Sequence, residues 1–229
     1  MLSLTQPRIC LSVGENNLDK LLSTIDKAQS IHNFLEIRAD YLGNLNFEII
    51  KIIKQKLKVK AIFTCRSSQD GGQFQGSDVE QIKFLVLATN LGFEFIDMDL
   101  RLISNFKHKF EHTKIIVSYH HYQHTPSYLN LKQKLKKMRA SVADIYKFAC
   151  LVKSEKDLFK LYKLLLAKKP GEEMIVLGMG HLGKLSRVIS PLLGAYLTFA
   201  SLNTPTAPGQ LSLQELQIKY NTLLNNSYA

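Results

Sequence analysis

Hydrophobic and polar positions along this chain switch repeatedly between a period of two and a period near 3.6. Short runs rich in Ile, Val, Phe and Ala read as strands: "ICLSV" (9–13), "FLEIRA" (34–39), "AIFTCR" (61–66), "FEFIDMD" (93–99), "KIIVSYH" (114–120), "DIYKFAC" (144–150), "MIVLGM" (174–179) and "AYLTFA" (195–200). Between them, apolar residues at helical spacing predict helices near 17–30, 46–57, 77–91, 101–111, 127–140, 154–168, 183–193 and 212–225. Eight β units thus alternate with eight α units. Strict alternation makes each strand return through a crossover helix, which gives a parallel sheet. Eight such units in 229 residues suit a closed (β/α)8 TIM barrel, a single domain over residues 1–229. An open doubly wound sheet is the structural alternative.

Several strands break their apolar pattern toward their C-terminal ends, where such a barrel places its chemistry. Glu36 and Arg38 share one face of the second strand, with Leu35, Ile37 and Ala39 on the other. Thr64 and Arg66 repeat this on the third strand and Ser118 and His120 on the fifth, and Ser12 lies near the end of the first. Lys147 is the sharpest exception. It interrupts "ADIYKFACL" with Ile145 and Ala149 on its own side and Tyr146, Phe148 and Cys150 opposite, so both sides of its strand are buried. Desolvation and neighbouring cations would push such a lysine toward its neutral amine, away from a reference pKa of roughly 10.4. A neutral amine adds to a ketone to give an iminium ion, which acidifies the adjacent C–H bond, and His120 could move that proton. Arg38, Arg66 and Arg187 offer forks for a carboxylate and hydroxyls. The competing reading of Lys147 is a structural lysine paired with Glu36 or Asp99.

Composition narrows the class. With 45% hydrophobic residues the chain can bury a large core. No segment approaches the roughly 20 apolar residues of a membrane helix, and the N-terminus carries no basic region leading a long apolar run, so a soluble cytoplasmic protein is expected. Cys10, Cys65 and Cys150 are odd in number and far apart, which fits buried free thiols better than disulfides or a thiolate zinc site. The formal charge of +11 suits nucleic acid, a membrane surface or an anionic small substrate. Its lysines, however, lie in "KIIKQKLKVK", "NFKHKFEHTK" and "LKQKLKKMR", interleaved with apolar residues as on the solvated faces of amphipathic helices.

Six ordered motifs resemble the type I 3-dehydroquinate dehydratases of the shikimate pathway, nearly end to end. "EIRAD" (36–40) is similar to the family's E-x-R-x-D strand and "FTCRSSQDGG" (63–72) to its F-T-x-R segment leading to a Gly-Gly turn. "SYHHYQHTP" (118–126) resembles the segment with the acid/base histidine, and "ADIYKFA" (143–149) the Schiff-base lysine strand. "MGHLGKLSR" (179–187) is similar to M-G-x-x-G-x-x-S-R, and "TFASLNTPTAPGQLS" (198–212) to the loop ending in A-P-G-Q. The resemblance implies that Lys147 forms an imine with the C3 ketone of 3-dehydroquinate while His120 transfers protons, with no metal or organic cofactor. It implies that Arg187 holds the substrate carboxylate, that Ser12, Glu36, Arg38, Arg66, Thr206 and Gln210 make polar contacts, and that Met179 and Phe199 line the pocket. It further suggests a homodimer; no nucleic-acid or membrane partner is expected, and, with Ala229 soon after the last expected helix, no appended shikimate dehydrogenase domain of the kind some relatives carry. The chain departs from the pattern at Asp70, where the family carries a glutamate that orients the histidine, and at Thr206, where serine is usual.

Other motifs compete. "HHYQH" offers His120, His121 and His124 to a metal, without an acidic or thiolate ligand or an i, i+4 helical frame. "GMGHLG" (178–183) matches G-x-G-x-x-G after a strand, yet no acid follows at the distance a ribose needs, and Leu185 stands where a phosphate loop needs a hydroxyl. These glycines are expected instead to let the backbone approach an anionic substrate at a helix N-terminus. A class I aldolase would use the same lysine imine, and a basic nucleic-acid-binding module is the non-enzymatic alternative. The loop Ser201–Gln210 is expected to act as a lid.

Overall fold

The computed structural model describes residues 6–202 and 205–225. Nine parallel strands form its sheet: β1 (Ile9–Val13), β2 (Phe34–Arg38), β3 (Lys60–Thr64), β4 (Phe95–Asp99), β5 (Lys114–His121), β6 (Ile145–Leu151), β7 (Glu173–Met179), β8 (Thr198–Ser201) and β9 (Leu211–Ser212). They run in the order β7-β6-β5-β4-β3-β2-β1-β8-β9. A single backbone bond, Tyr196 N to Met174 O at 2.7 Å, spans from the segment before β8 to β7. Outside the sheet lie α1 (Leu18–Ile31), α2 (Phe47–Lys56), α3 (Asp78–Asn90), α4 (Tyr128–Arg139), α5 (Glu155–Leu166), α6 (Lys184–Leu192) and α7 (Leu213–Asn225). The curled sheet with its outer helices is TIM-barrel-like and forms one domain, as the alternation predicts.

The period of two in each strand sorts the core into two bodies. Inward residues Cys10, Phe34, Ile62, Phe95, Ile116, Ile145, Ile175, Leu177, Leu197 and Phe199 pack together inside the barrel. Outward residues such as Leu11, Leu35, Phe63, Ile96, Val117, Phe148 and Val176 meet Leu21, Ile25, Ile50, Ile53, Leu85, Leu131 and Leu161 of the helices. Because the inward apolar residues gather toward the N-terminal ends of the strands, the polar inward residues share the other end.

Helix starts follow their capping chemistry. Asn17, Asn46, Ser77 and Ser127 accept backbone N–H bonds at the heads of α1, α2, α3 and α4, and Ser77 with Glu80 completes a capping box. On α4, Leu131, Leu135 and Met138 are buried while Lys132, Lys136 and Lys137 are exposed, so these lysines are a solvated helix face. Among the described residues, no helix is long and apolar enough to cross a membrane. Cys10, Cys65 and Cys150 are free and buried.

The structure differs from expectation in two places. The helix expected at 101–111 is a single 3-10 turn, Leu100–Leu102, followed by irregular chain. Ser104 and Asn105 are residue types with low helix propensity. Phe106 enters the core and makes a ring contact with His108, two residues on, which a regular helix would not arrange. The last helix begins at Leu213, close to its expected start, but a short strand not expected from sequence, β9, precedes it and pairs with β8 through Ala200 and Leu211.

Candidate active site

At the C-terminal end of the barrel a cavity collects most of the residues singled out from sequence. Ser12, Glu36, Arg38, Arg66, His120, Lys147, Met179 and Phe199 reach it from seven strands or their immediate ends, Arg187 from α6, and Thr206 and Gln210 from the following loop. Tyr122, Ala149, Leu177 and Ala207, not marked in the sequence, also line it.

Lys147 is 5% exposed, and its Nζ sits 4.0 Å from the centre of the Phe199 ring. The sequence places cations around it; the structure places carboxylates. Nζ lies 2.6 Å from Asp97 Oδ2 and 3.8 Å from Glu36 Oε1. Asp97, inward-facing on β4, was the missing neighbour, and its spacing from Asp99 follows the same period as Glu36 and Arg38. Its other oxygen accepts from Arg66 Nη2 at 2.8 Å and from Ser118 Oγ at 2.6 Å. Burial alone would raise the Asp97 carboxyl, but Arg66 and Lys147 outweigh it and hold it far below the usual carboxylate range. Glu36 accepts from Ser12 Oγ at 2.6 Å and Thr64 Oγ1 at 3.0 Å, which fixes both oxygens around the amine.

The His120 Nδ1 atom lies 3.0 Å from Arg66 Nη1. A guanidinium can only donate, so Nδ1 accepts and the neutral ring carries its proton on Nε2. Burial, then Arg66 and Lys147, push this imidazole well below its ordinary pKa, so the neutral form prevails at neutral pH. Arg66 itself also binds Asp99 Oδ1 at 2.5 Å and Ser118 Oγ at 2.9 Å. Burial pushes the Asp99 carboxyl up to about 6 despite that arginine.

The two remaining arginines contrast. Arg38 is neutralised by a two-pronged pair with Asp40, at 2.9 and 2.8 Å, and reaches Thr206 O at 3.3 Å. Arg187 is 2% exposed and has no acidic partner among the described residues. Its Nη2 donates to Pro208 O at 3.3 Å, its Nε has no hydrogen-bond partner among the described residues, and burial lowers its pKa to about 10. A guanidinium facing a cavity in this condition is prepared for an anion.

Thr206 donates through N and Oγ1 to Gln210 Oε1, at 2.7 and 3.1 Å, and Gln210 Nε2 donates to Ala200 O at 3.0 Å. The loop expected to act as a lid includes Asn203 and Thr204, which lie outside the described residues.

Asp70 is one the fold does not bring in. Its Oδ2 lies 2.8 Å from Arg101 Nε and 3.4 Å from Ser67 Oγ, and the group within hydrogen-bond reach of His120 Nδ1 is Arg66. His121 and His124 pair with each other, ring centres 4.2 Å apart, away from His120. Gly183 has a packing role. A Cβ on Gly183 would stand 2.4 Å from Met179 O and 2.5 Å from Gly178 C, so the close approach it permits is between β7 and the start of α6.

A family model described as type I 3-dehydroquinase matches residues 9–227. A 3-dehydroquinate dehydratase from Coxiella burnetii is 42% identical over 218 residues, covering 95% of this chain and 94% of its own. Among solved structures, the 3-dehydroquinate dehydratase of Geobacillus kaustophilus superposes with a TM-score of 0.88 at 24% identity, covering 96% of this chain and 92% of its own. The type I enzyme of Clostridium difficile, solved with covalently modified comenic acid, gives 0.85 at 25% identity, covering 96% and 93%.

Proposed function

The chain belongs to the type I 3-dehydroquinase family, carbon–oxygen lyases of the shikimate pathway, and from that premise we propose that it dehydrates 3-dehydroquinate through an imine on Lys147. The carrying observation is a buried primary amine facing the same cavity as an arginine left without an anion. With the substrate carboxylate on Arg187, Lys147 Nζ adds to the C3 carbonyl and water departs, leaving an iminium ion. That cation acidifies the C2 proton, which passes to His120 and leaves an enamine. The enamine expels the C1 hydroxyl, protonated by the same imidazole, and hydrolysis of the conjugated iminium returns the amine with 3-dehydroshikimate. The electron sink is the iminium itself, so the cycle draws on no metal or organic cofactor. Covalent capture of a small ligand in the Clostridium difficile relative is consistent with a reactive side chain in this kind of barrel.

The free protein adds one requirement. His120 can take a proton at Nδ1 only if Arg66 lets go; taking it at Nε2 instead needs the ring proton moved to Nδ1, where Arg66 also stands. Proton transfer therefore redirects the Arg66 Nη1 donor to a substrate hydroxyl, while Asp97, Asp99 and Ser118 keep the Arg66 guanidinium in place beside the ring. The working form is taken to be a cytoplasmic homodimer, which light scattering on the purified protein checks.

Incubation with 3-dehydroquinate should generate the absorbance of a conjugated enone. Lys147→Ala should abolish it, and enone formation at the wild-type rate by Lys147→Ala would overturn the assignment.

A further inference from the structure

We propose that Arg101, which lies outside the cavity, is a positioning residue for His120. It sits in the 3-10 turn after β4, and its guanidinium holds four groups. Nε binds Asp70 Oδ2 at 2.8 Å, Nη1 binds Asp78, Nη2 binds Gln81 Oε1 at 2.6 Å, and Nη2 stands 3.9 Å from Asp99 Oδ2.

Two routes run from these contacts to the imidazole. Through Asp70, Arg101 pins the turn Ser67–Gly72, which brings Gly71 against Tyr122. Gly71 has φ +78°, and a Cβ there would lie 2.1 Å from the Tyr122 ring, so only glycine lets the turn back this tyrosine. Tyr122 in turn lies nearly parallel to the His120 ring, at 18° with centres 6.2 Å apart. Through Gln81, whose Nε2 donates to Asp99 Oδ2 at 2.8 Å, Arg101 also secures the carboxylate that binds Arg66 at 2.5 Å, and Arg66 meets His120 Nδ1. The Asp70 carboxylate binds Arg101 and not the histidine, so orientation reaches His120 through Arg101 and these contacts. The groups facing His120 are Arg66 from β3, Asp97 from β4, Lys147 from β6 and Arg38 from β2, with Tyr122 alongside.

This inference rests on the lysine-imine reading, so its test separates the two. Arg101→Gln removes the cation and the Nε donor from a partly exposed position. Because the proton-transfer step is the one impaired, kcat should fall roughly tenfold, set against the about 100-fold that a 1 Å misplacement can cost, with KM within about twofold. The imine should accumulate, so borohydride in the presence of 3-dehydroquinate should trap a larger steady-state fraction of Arg101→Gln than of wild type. The acidic limb of kcat/KM should move up toward the ordinary histidine value of roughly 6.5 as Arg66 loosens its hold. Arg101→Lys keeps the charge but not the fork and should show the same accumulation; it carries the test if Arg101→Gln does not fold. Wild-type kcat, trapped fraction and acidic limb in a folded Arg101 variant would overturn the proposal. Absence of any adduct in wild type would instead overturn the imine reading itself.

Discussion

Replacing Arg187 with Met should make the protein more stable and a poorer catalyst at once. Burial lowers its pKa to about 10, which corresponds to about 3 kcal/mol for holding the charged guanidinium in the cavity. Since the folded value lies below the unfolded one, that cost is fully present at every pH below about 10 and fades only as the solution approaches the unfolded value. Met fills much of the same space without the charge. It gives up one long bond, Nη2 to Pro208 O at 3.3 Å, valued at about 1 kcal/mol. A net gain of about 2 kcal/mol remains, which for a chain of this size raises Tm by roughly 4–8 °C. The functional effect has the opposite sign. Removing one partner of a buried charge pair costs about 2–5 kcal/mol, so kcat/KM should fall by a factor between about 30 and several thousand. The assay is thermal unfolding with and without saturating product, alongside initial rates. Product should raise the Tm of wild type and leave Arg187→Met nearly unmoved. A variant no more stable than wild type, with unchanged KM, would refute the view that Arg187 waits uncompensated for an anion.

Other outcomes follow from the same geometry. His120→Ala should form the imine and stall there, so borohydride should capture more adduct than in wild type while turnover is lost; loss of adduct would assign His120 to imine formation instead. With a histidine pKa depressed by burial and by Arg66, activity in wild type should persist below pH 6.5, and an acidic limb at or above that value would contradict the depressed value. Gln210→Ala breaks the bonds to Thr206 and Ala200 that fold the loop over the cavity, and should raise KM about tenfold while leaving imine capture intact.

Much of this site was legible because a parallel strand repeats every two residues. Once "EIR", "FTCR", "SYH" and "YKF" were set on strands, period alone put Glu36, Arg38, Thr64, Arg66, Ser118, His120 and Lys147 inside the barrel, and the structure has them there. The same rule applied to "FEFIDMD" would have put Asp97 beside Lys147, so that partner was readable. Arg101 and Tyr122 were not. Their roles depend on a turn folding back onto a neighbouring strand end, which no period encodes. The failed helix at 101–111 shows the converse: an amphipathic pattern there serves to bury Phe106, and local spacing does not distinguish that use from a helical face. The partner of Asp70 was not readable either, because Arg101 comes to it from the turn after β4, 31 residues along the chain.

The central claim is that a bond forms between the Lys147 amine and the substrate ketone. Borohydride reduction of the wild-type protein during turnover of 3-dehydroquinate, followed by peptide mass mapping, tests it most directly. The account predicts a stable adduct on the peptide containing Lys147 and on no other lysine; an active enzyme whose Lys147 peptide stays unmodified would contradict it.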